Sequence, residues 1–191
     1  KDGGIDITPL KKLIHESIDE KKIRKSSIEF CLLTFSVSDF KELDLSVEDI
    51  PEGMLEEFLL ASAYLIGFKN ERLHGKKYID GGVINNVPLS SLVKRGYENI
   101  IEVRIYGPGR EPRVKMPDTG VKYEIGPRVK LGSIIEFSGK RSRQNMMIGY
   151  YDAKRMLYGL EGFIYYVEQT HDGLYYEELM SGIKEIEKAE I

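Results

Sequence analysis

One short stretch of the chain combines residue types that could carry out acid–base chemistry. It begins at Asp80, where a short apolar strand ends, continues with Gly81 and Gly82, and reaches Asn85 and Asn86 before a proline. Two glycines permit close approach of backbone or substrate, and an aspartate held at a strand end can act as a general base or orient one. The asparagines could tie the loop to its own backbone or cap the following helix. The alternative is a purely structural Asx turn, because Asp-Gly is a common turn dipeptide.

The elements that must position this loop alternate between strands and helices. Apolar runs predict strands at residues 28–37, 76–80, 99–106 and 163–167. Apolar residues at helical spacing predict helices at residues 8–18, 51–67, 88–95, 138–157 and 175–190. The first helix would have Thr8 as N-cap and Pro9 at its first position, while residues 39–50 and 107–127 are predicted loops. This alternation predicts an α/β fold, with a largely parallel sheet flanked by helices. Asp80 would then lie at the carboxyl end of its strand, where open parallel sheets bind ligands.

Length and composition exclude several classes of protein. The chain of 191 residues is 41% hydrophobic and 31% charged, which excludes a disordered protein, and its longest apolar run, residues 58–68, is too short to span a membrane. The net charge of −3 argues against nucleic acid as a partner. The single cysteine, Cys31, and three separated histidines argue against disulfides and structural zinc. They fit a reducing compartment, and a cytoplasmic location is expected.

The Asp80 stretch, taken whole, resembles the aspartate block of the patatin-like phospholipases. That block reads Asp-Gly-Gly or Asp-Gly-Ala, a small loop, Asn and Pro, as residues 80–88 do here. The resemblance extends to both sides of the block. Further segments that resemble the family are Thr8–Leu10, Leu59–Ala63, Gly75–Asp80 and Gly149–Ala153. Residues 59–103 carry the most specific part of the likeness.

The resemblance implies a partial patatin-like fold and a serine acyl hydrolase that works with a Ser–Asp dyad instead of a triad. Asp80 would be the base beside the serine hydroxyl, and Gly81, Gly82, Asn85 and Asn86 would shape its loop. The implied substrate is a phospholipid or another acyl-ester lipid, with possible peripheral membrane contact. No cofactor and no metal ion are implied. A serine needs such a neighbouring base because its hydroxyl is otherwise a weak nucleophile.

Two parts of the family pattern do not occur in this sequence. There is no Gly-x-Ser-x-Gly nucleophile elbow, and no Gly-rich oxyanion run precedes one. Residues 1–191 are therefore expected to be the C-terminal part of a patatin-like acyl hydrolase domain, with a core block at 1–106 and a loop, long helix and terminal elements at 107–191. Such a chain is expected to be inactive alone and to self-associate through exposed strand edges. The alternatives are a non-catalytic lipid- or protein-binding module of the same fold and, less favoured, a nucleotide-binding domain.

The charge is unevenly distributed, and its meaning stays open at the sequence level. Residues 104–155 carry 12 basic and 5 acidic side chains, a net charge of +7, which could face an anionic ligand or membrane, or solvent. The basic side chains of the long helix are Lys140, Arg141, Arg143, Lys154 and Arg155. Met146, Met147 and the tyrosines of 150–176 are expected to pack in the interior. The segment 107–110 is predicted to be a hinge, with a phosphate-binding nest as the alternative.

Overall fold

The computed structural model describes residues 4–162 and 173–189, which fall into two units. The first unit comprises Lys1–Arg95 and Pro108–Lys115, and the second comprises Gly96–Gly107 and Met116–Ile191. The division of the chain into the predicted blocks 1–106 and 107–191 stays a prediction. The loop of Asp80 belongs to the first unit.

The first unit contains a three-stranded sheet that carries Asp80. Its strands β1 (Cys31–Ser36), β2 (Lys41–Ser46) and β3 (Tyr78–Asp80) lie in the order β2-β1-β3. Both pairings are antiparallel, and Thr34 of β1 lies opposite Asp80. The predicted largely parallel sheet is therefore wrong here: the chain has small sheets flanked by helices.

Strand β2 lies in the segment that the sequence predicted to be an acidic loop, so that prediction is wrong. Leu43 and Leu45 alternate with Glu42 and Asp44, and this period of two fits a half-buried strand. The strand continues into a 3-10 turn at Val47–Asp49, where Ser46 and Asp49 form a capping box. Acidic side chains can occupy a strand of this kind because only part of each residue is buried.

Four helices complete the first unit, namely α1 (Thr8–Ser17), α2 (Glu20–Arg24), α3 (Leu55–Ser62) and α4 (Leu89–Lys94). The N-cap position of α1 is Ile7 and not Thr8 as predicted; the Asp6 carboxylate accepts hydrogen bonds from Thr8 N and Oγ1, at 3.0 and 2.8 Å. Helix α2 was not predicted, and α3 is shorter at both ends than the helix predicted for residues 51–67. One core cluster between these helices and the sheet comprises Leu32, Val47, Ile50 and Leu55.

The second unit is built on a two-stranded parallel sheet. Strand β4 (Asn99–Val103) pairs with β5 (Val121–Ile125), with Ile101 opposite Tyr123. Strand β5 lies within the predicted loop 107–127 and was missed. Helices α5 (Gly139–Tyr158) and α6 (Gly173–Ala189) match the predicted helices closely. The predicted strand at 163–167 lies outside the described residues.

The exposed face of α5 contradicts one prediction about packing. Met146, Met147, Tyr150, Tyr151 and Tyr158 are all exposed, although the sequence favoured interior packing for them. Burial was expected because these side chains are large and mostly apolar. Among residues 4–162 and 173–189, no helix combines the length and the apolar character needed to cross a bilayer.

Candidate active site around Asp80

Asp80 is held at the end of β3 by backbone contacts on both sides. Its amide donates to Tyr64 O at 2.9 Å. On the other side β3 pairs with β1, and Thr34 Oγ1 donates to Ile79 O at 2.9 Å. Thr34 and Tyr64 are both fully buried, so the backbone that carries the carboxylate is fixed by interior residues. The expected position at a strand end is confirmed, although the sheet is antiparallel at this point.

The Asp80 carboxylate has one oxygen engaged and one unpaired. Oδ1 accepts a hydrogen bond from Gly82 N at 2.7 Å and so caps the 3-10 turn Gly81–Val83. Oδ2 has no hydrogen-bond partner among the described residues. Burial raises the pKa of the Asp80 carboxyl above its ordinary value, and the bond from Gly82 N opposes that rise. The carboxylate therefore combines a fixed orientation with an available acceptor and a strengthened affinity for a proton.

Neighbouring atoms approach both glycines after Asp80 closely, and the approach to Gly81 leaves no room for a Cβ. A Cβ on Gly81 would lie 2.8 Å from the carbonyl carbon, the carbonyl oxygen and Cγ of Leu33 in β1. A Cβ on Gly82 would lie 3.0 Å from Asp80 Oδ1 and 3.3 Å from Asn86 Oδ1. Gly81 thus lets the turn pack on the sheet, while Gly82 lets its amide reach the carboxylate.

The two asparagines hold the loop through acidic partners. Asn85 is 4% exposed. Its backbone N–H donates to Gly81 O at 2.9 Å, and its side-chain Nδ2 donates to Glu42 Oε1 at 3.3 Å. Asn86 Nδ2 donates to Glu111 Oε1 at 3.4 Å. Neither side chain caps α4, whose N-cap position is Pro88 without a side-chain hydrogen bond, so the capping alternative is wrong. The asparagines instead anchor the loop to β2 and to a distant segment.

That distant segment comprises residues 109–111, and the sequence analysis did not predict that it contacts the Asp80 loop. Asn86 N donates to Arg110 O at 2.7 Å, and Arg110 N donates to Val83 O at 3.3 Å. A Cβ on Gly109 would lie 2.1 Å from Gly82 O, so only glycine allows this approach. Because the Arg110 N–H already donates to Val83 O in the Asp80 loop, it is not available to bind a phosphate, which weakens the phosphate-nest alternative for residues 107–110. Gly109 was the sequence signal, since a glycine can mark a close backbone contact.

A cleft of about 640 Å³ lies beside β3. Its lining residues are Val37, Phe68, Lys69, Asn70, Glu71, Lys77, Tyr78 and Ile79. Asp80 is not among them, so the cleft gives no substrate assignment by itself. A metal site is a separate question. In the part of the chain that the structure describes, no three His, Cys, Asp or Glu side chains come together to hold a metal ion. His74 is exposed, and its Nε2 lies 3.0 Å from Glu57 Oε2.

Residues 1–93 match the family model of the patatin-like phospholipases. The match covers just under half of the chain, and it contains Asp80, both glycines and both asparagines of the loop. The resemblance is thereby confirmed for this part of the sequence. The patatin-like phospholipases are lipid acyl hydrolases, so a hydrolase that acts on lipids is supported at the level of the family. Searches among curated proteins and among solved structures gave no significant match.

Proposed function

We propose that this chain supplies the aspartate of a Ser–Asp dyad in a lipid acyl hydrolase that cleaves fatty acyl esters of phospholipids or similar lipids. The observation that carries the proposal is the Asp80 carboxylate, whose Oδ1 is fixed by Gly82 N while Oδ2 remains available as an acceptor. The family match over the same loop supports the reaction class. Because these 191 residues contain no Gly-x-Ser-x-Gly, we expect the serine outside them.

In the proposed mechanism, Asp80 moves one proton in each half of the reaction. Asp80 Oδ2 accepts the proton of the serine hydroxyl as the serine oxygen attacks the ester carbonyl carbon. When the tetrahedral intermediate collapses, the carbon–oxygen bond to the alcohol breaks, and Asp80 returns the proton to that leaving oxygen. A water molecule then gives a proton to Asp80 as its oxygen attacks the acyl carbon. When this second intermediate collapses, the bond from the acyl carbon to the serine oxygen breaks, and Asp80 passes the proton to that oxygen, which releases the fatty acid and restores the serine hydroxyl.

The burial of Asp80 is consistent with this role. A base is most effective when its pKa approaches the working pH, and burial raises the pKa of this carboxyl towards that range. The fixed backbone at Thr34 and Tyr64 limits the reorganisation needed in the transition state. The absence of a histidine beside the carboxylate among the described residues is compatible with a dyad.

The second candidate is a non-catalytic lipid- or protein-binding module with a patatin-like region. The observation that favours it is the lack of a nucleophile motif in the printed sequence. In that case the Asp80 loop would be a structural turn, held by Gly82, Asn85 and Asn86.

The deciding experiment uses the complete protein product of the gene that encodes these 191 residues. Hydrolysis of a nitrophenyl ester and of phosphatidylcholine vesicles would be measured together with labelling by a fluorophosphonate, which reports an activated serine. Asp80→Asn should lower turnover by roughly 10²- to 10⁴-fold, because an amide cannot accept the serine proton. Asp118→Asn, at an exposed aspartate of the second unit, is the matched control and should leave turnover unchanged.

Two results would contradict the proposal. Near-normal turnover by a folded Asp80→Asn variant would assign this aspartate to turn structure. An inactive and unlabelled complete product would favour the binding module. The 191-residue chain alone should give only background hydrolysis; robust turnover that a Ser→Ala change in this chain removes would show that the dyad partner was wrongly placed outside it.

A further inference from the structure

Helix α5 exposes a broad stripe of apolar and aromatic side chains. At about 100° per residue, the stripe covers roughly 140° of the helix circumference. Its members are Met146, Met147, Tyr150, Tyr151, Leu157 and Tyr158, and all of them are exposed. Met146 is 73% exposed and Tyr158 is 71% exposed, so these side chains contribute little to the core of the unit. An exposed apolar stripe of this width marks an interaction surface.

The same stripe carries cations and no acid. Lys140, Arg143 and Lys154 project between the apolar residues at helical spacing. The ammonium group of Lys154 lies 5.9 Å from the ring centre of Tyr150 and 6.0 Å from that of Tyr158. The one acidic residue of α5, Asp152, is 1% exposed and lies on the opposite side of the helix. The exposed stripe is therefore both apolar and positively charged.

The segment before α5 extends this surface. Ile134, Ile135 and Phe137 are exposed there. Arg141 fixes the segment by donating to Ser133 O at 2.6 Å and to Glu136 O, and it also pairs with the Glu136 carboxylate. The charge of Glu136 is thus neutralised by an arginine of α5. We define the α5 surface as the stripe together with Ile134, Ile135 and Phe137.

We propose that the α5 surface binds the surface of an anionic phospholipid bilayer. An amphipathic helix with cations and large apolar side chains lies in the plane of the interface, with its apolar side chains among the acyl chains. Tyrosine suits this position because its ring is apolar and its hydroxyl remains in the headgroup layer. Each cation adds attraction to anionic headgroups. A second copy of the chain fits less well, because a symmetric contact would oppose the same cations.

This inference does not rest on the proposed hydrolase activity, because lipid binding can be measured on the 191-residue chain without turnover. Flotation would compare vesicles of phosphatidylcholine alone with vesicles of equal parts phosphatidylcholine and phosphatidylserine. Binding is expected on the anionic vesicles, with weak binding to the neutral ones. Binding should fall as salt rises, because counterions screen the attraction between exposed charges.

Matched triple variants distinguish the effect of the cations on the α5 surface from the effect of net charge on binding. Lys140→Gln, Arg143→Gln and Lys154→Gln together should weaken binding on the order of a hundredfold, from about fivefold for each cation. Lys25→Gln, Lys94→Gln and Lys115→Gln change the net charge equally at exposed positions of the first unit and should leave binding nearly unchanged. Equal losses in both triple variants would overturn the proposal.

Insertion of the apolar side chains has a separate readout, because the chain contains no tryptophan. Tyr158→Trp should show a blue shift of emission on anionic vesicles, while the control Tyr97→Trp should not. Absence of a shift at both positions, or binding that salt does not affect, would overturn the proposal even if the triple variant failed to fold. The proposal would also be overturned if the parent chain self-associated without binding vesicles and the α5 triple variant no longer self-associated. That result would assign the surface to a contact between copies of the chain.

Discussion

Replacement of Gly81 by alanine tests whether the turn after Asp80 must pack directly on the sheet. The added Cβ would lie 2.8 Å from three atoms of Leu33, two of which belong to the backbone of β1. Unstrained carbon contacts lie at about 3.5–4.0 Å. Strand β1 is the central strand and pairs with both β2 and β3, so its backbone cannot retreat without disturbing two ladders.

The expected magnitude follows from two opposing effects. Overpacking of this kind costs about 1–3 kcal/mol, and the upper part of that range applies because the obstacle is backbone in the middle of a sheet. Alanine also restricts the unfolded chain, which returns about 0.4–1 kcal/mol. Gly81→Ala should therefore lower the free energy of unfolding by about 2 kcal/mol.

Urea denaturation followed by circular dichroism would measure this change, with Gly149→Ala as the matched control. Gly149 is an exposed glycine within α5, and a Cβ there would meet nothing within 4 Å. Alanine at that position should raise the free energy of unfolding by about 0.5–1 kcal/mol, because glycine is costly within a helix. If both variants proved equally stable, the close approach of Gly81 to Leu33 would not exist in solution.

The remaining predictions concern Asp80 and Arg24. Because burial raises the pKa of Asp80, the folded chain is favoured when this carboxyl is protonated, and that stability is lost as pH rises through the folded-state pKa. Asp80→Asn should thus unfold at higher urea than the parent at pH 7, with the difference shrinking below about pH 4; a variant less stable at pH 7 would contradict the buried carboxylate. Arg24 donates to the carbonyls of Val47 and Ile50 at 2.7 and 2.8 Å. Arg24→Met should lower the free energy of unfolding by about 2–3 kcal/mol in the same assay. The exposed neighbour change Lys25→Met should stay within about 0.5 kcal/mol, and equal effects would refute the role of these hydrogen bonds.

The local features of the Asp80 block could be predicted from sequence because they depend on neighbouring residues. Asp80 ends a strand and caps the turn of Gly81 to Val83 through Gly82 N, which is the behaviour that the Asp-Gly dipeptide indicates. The long helix α5 was also predicted, since Ser138 caps it and Gly159 ends it in a left-handed conformation. These signals need no knowledge of distant contacts.

The pairing of strands could not be predicted in the same way. Strand β2 was not predicted because its acidic side chains indicated a loop. Strand β5 was not predicted because it has a lysine and a glutamate among its apolar residues and lies in a segment with several glycines and prolines. The order of elements along the chain suggested parallel pairing, but β2 directly follows β1 and returns antiparallel beside it. The direction of a strand depends on its connection as well as on its neighbours in sequence.

The contact between Gly109 and Gly82 shows why the site extends further than its motif. The Asp80 loop packs on Leu33 of β1 through Gly81. It is also held by Arg110, a residue distant in sequence, whose backbone N–H donates to Val83 O and whose carbonyl oxygen accepts from Asn86 N. Neither contact follows from the residues 80–88 alone, because each depends on how the chain returns to the loop. Glycines on both sides of a long-range contact, Gly82 and Gly109, therefore help to fix the Asp80 loop. The same burial that raises the pKa of Asp80 lowers stability at neutral pH; under the proposed function, this loss is the cost of holding a base ready for proton transfer.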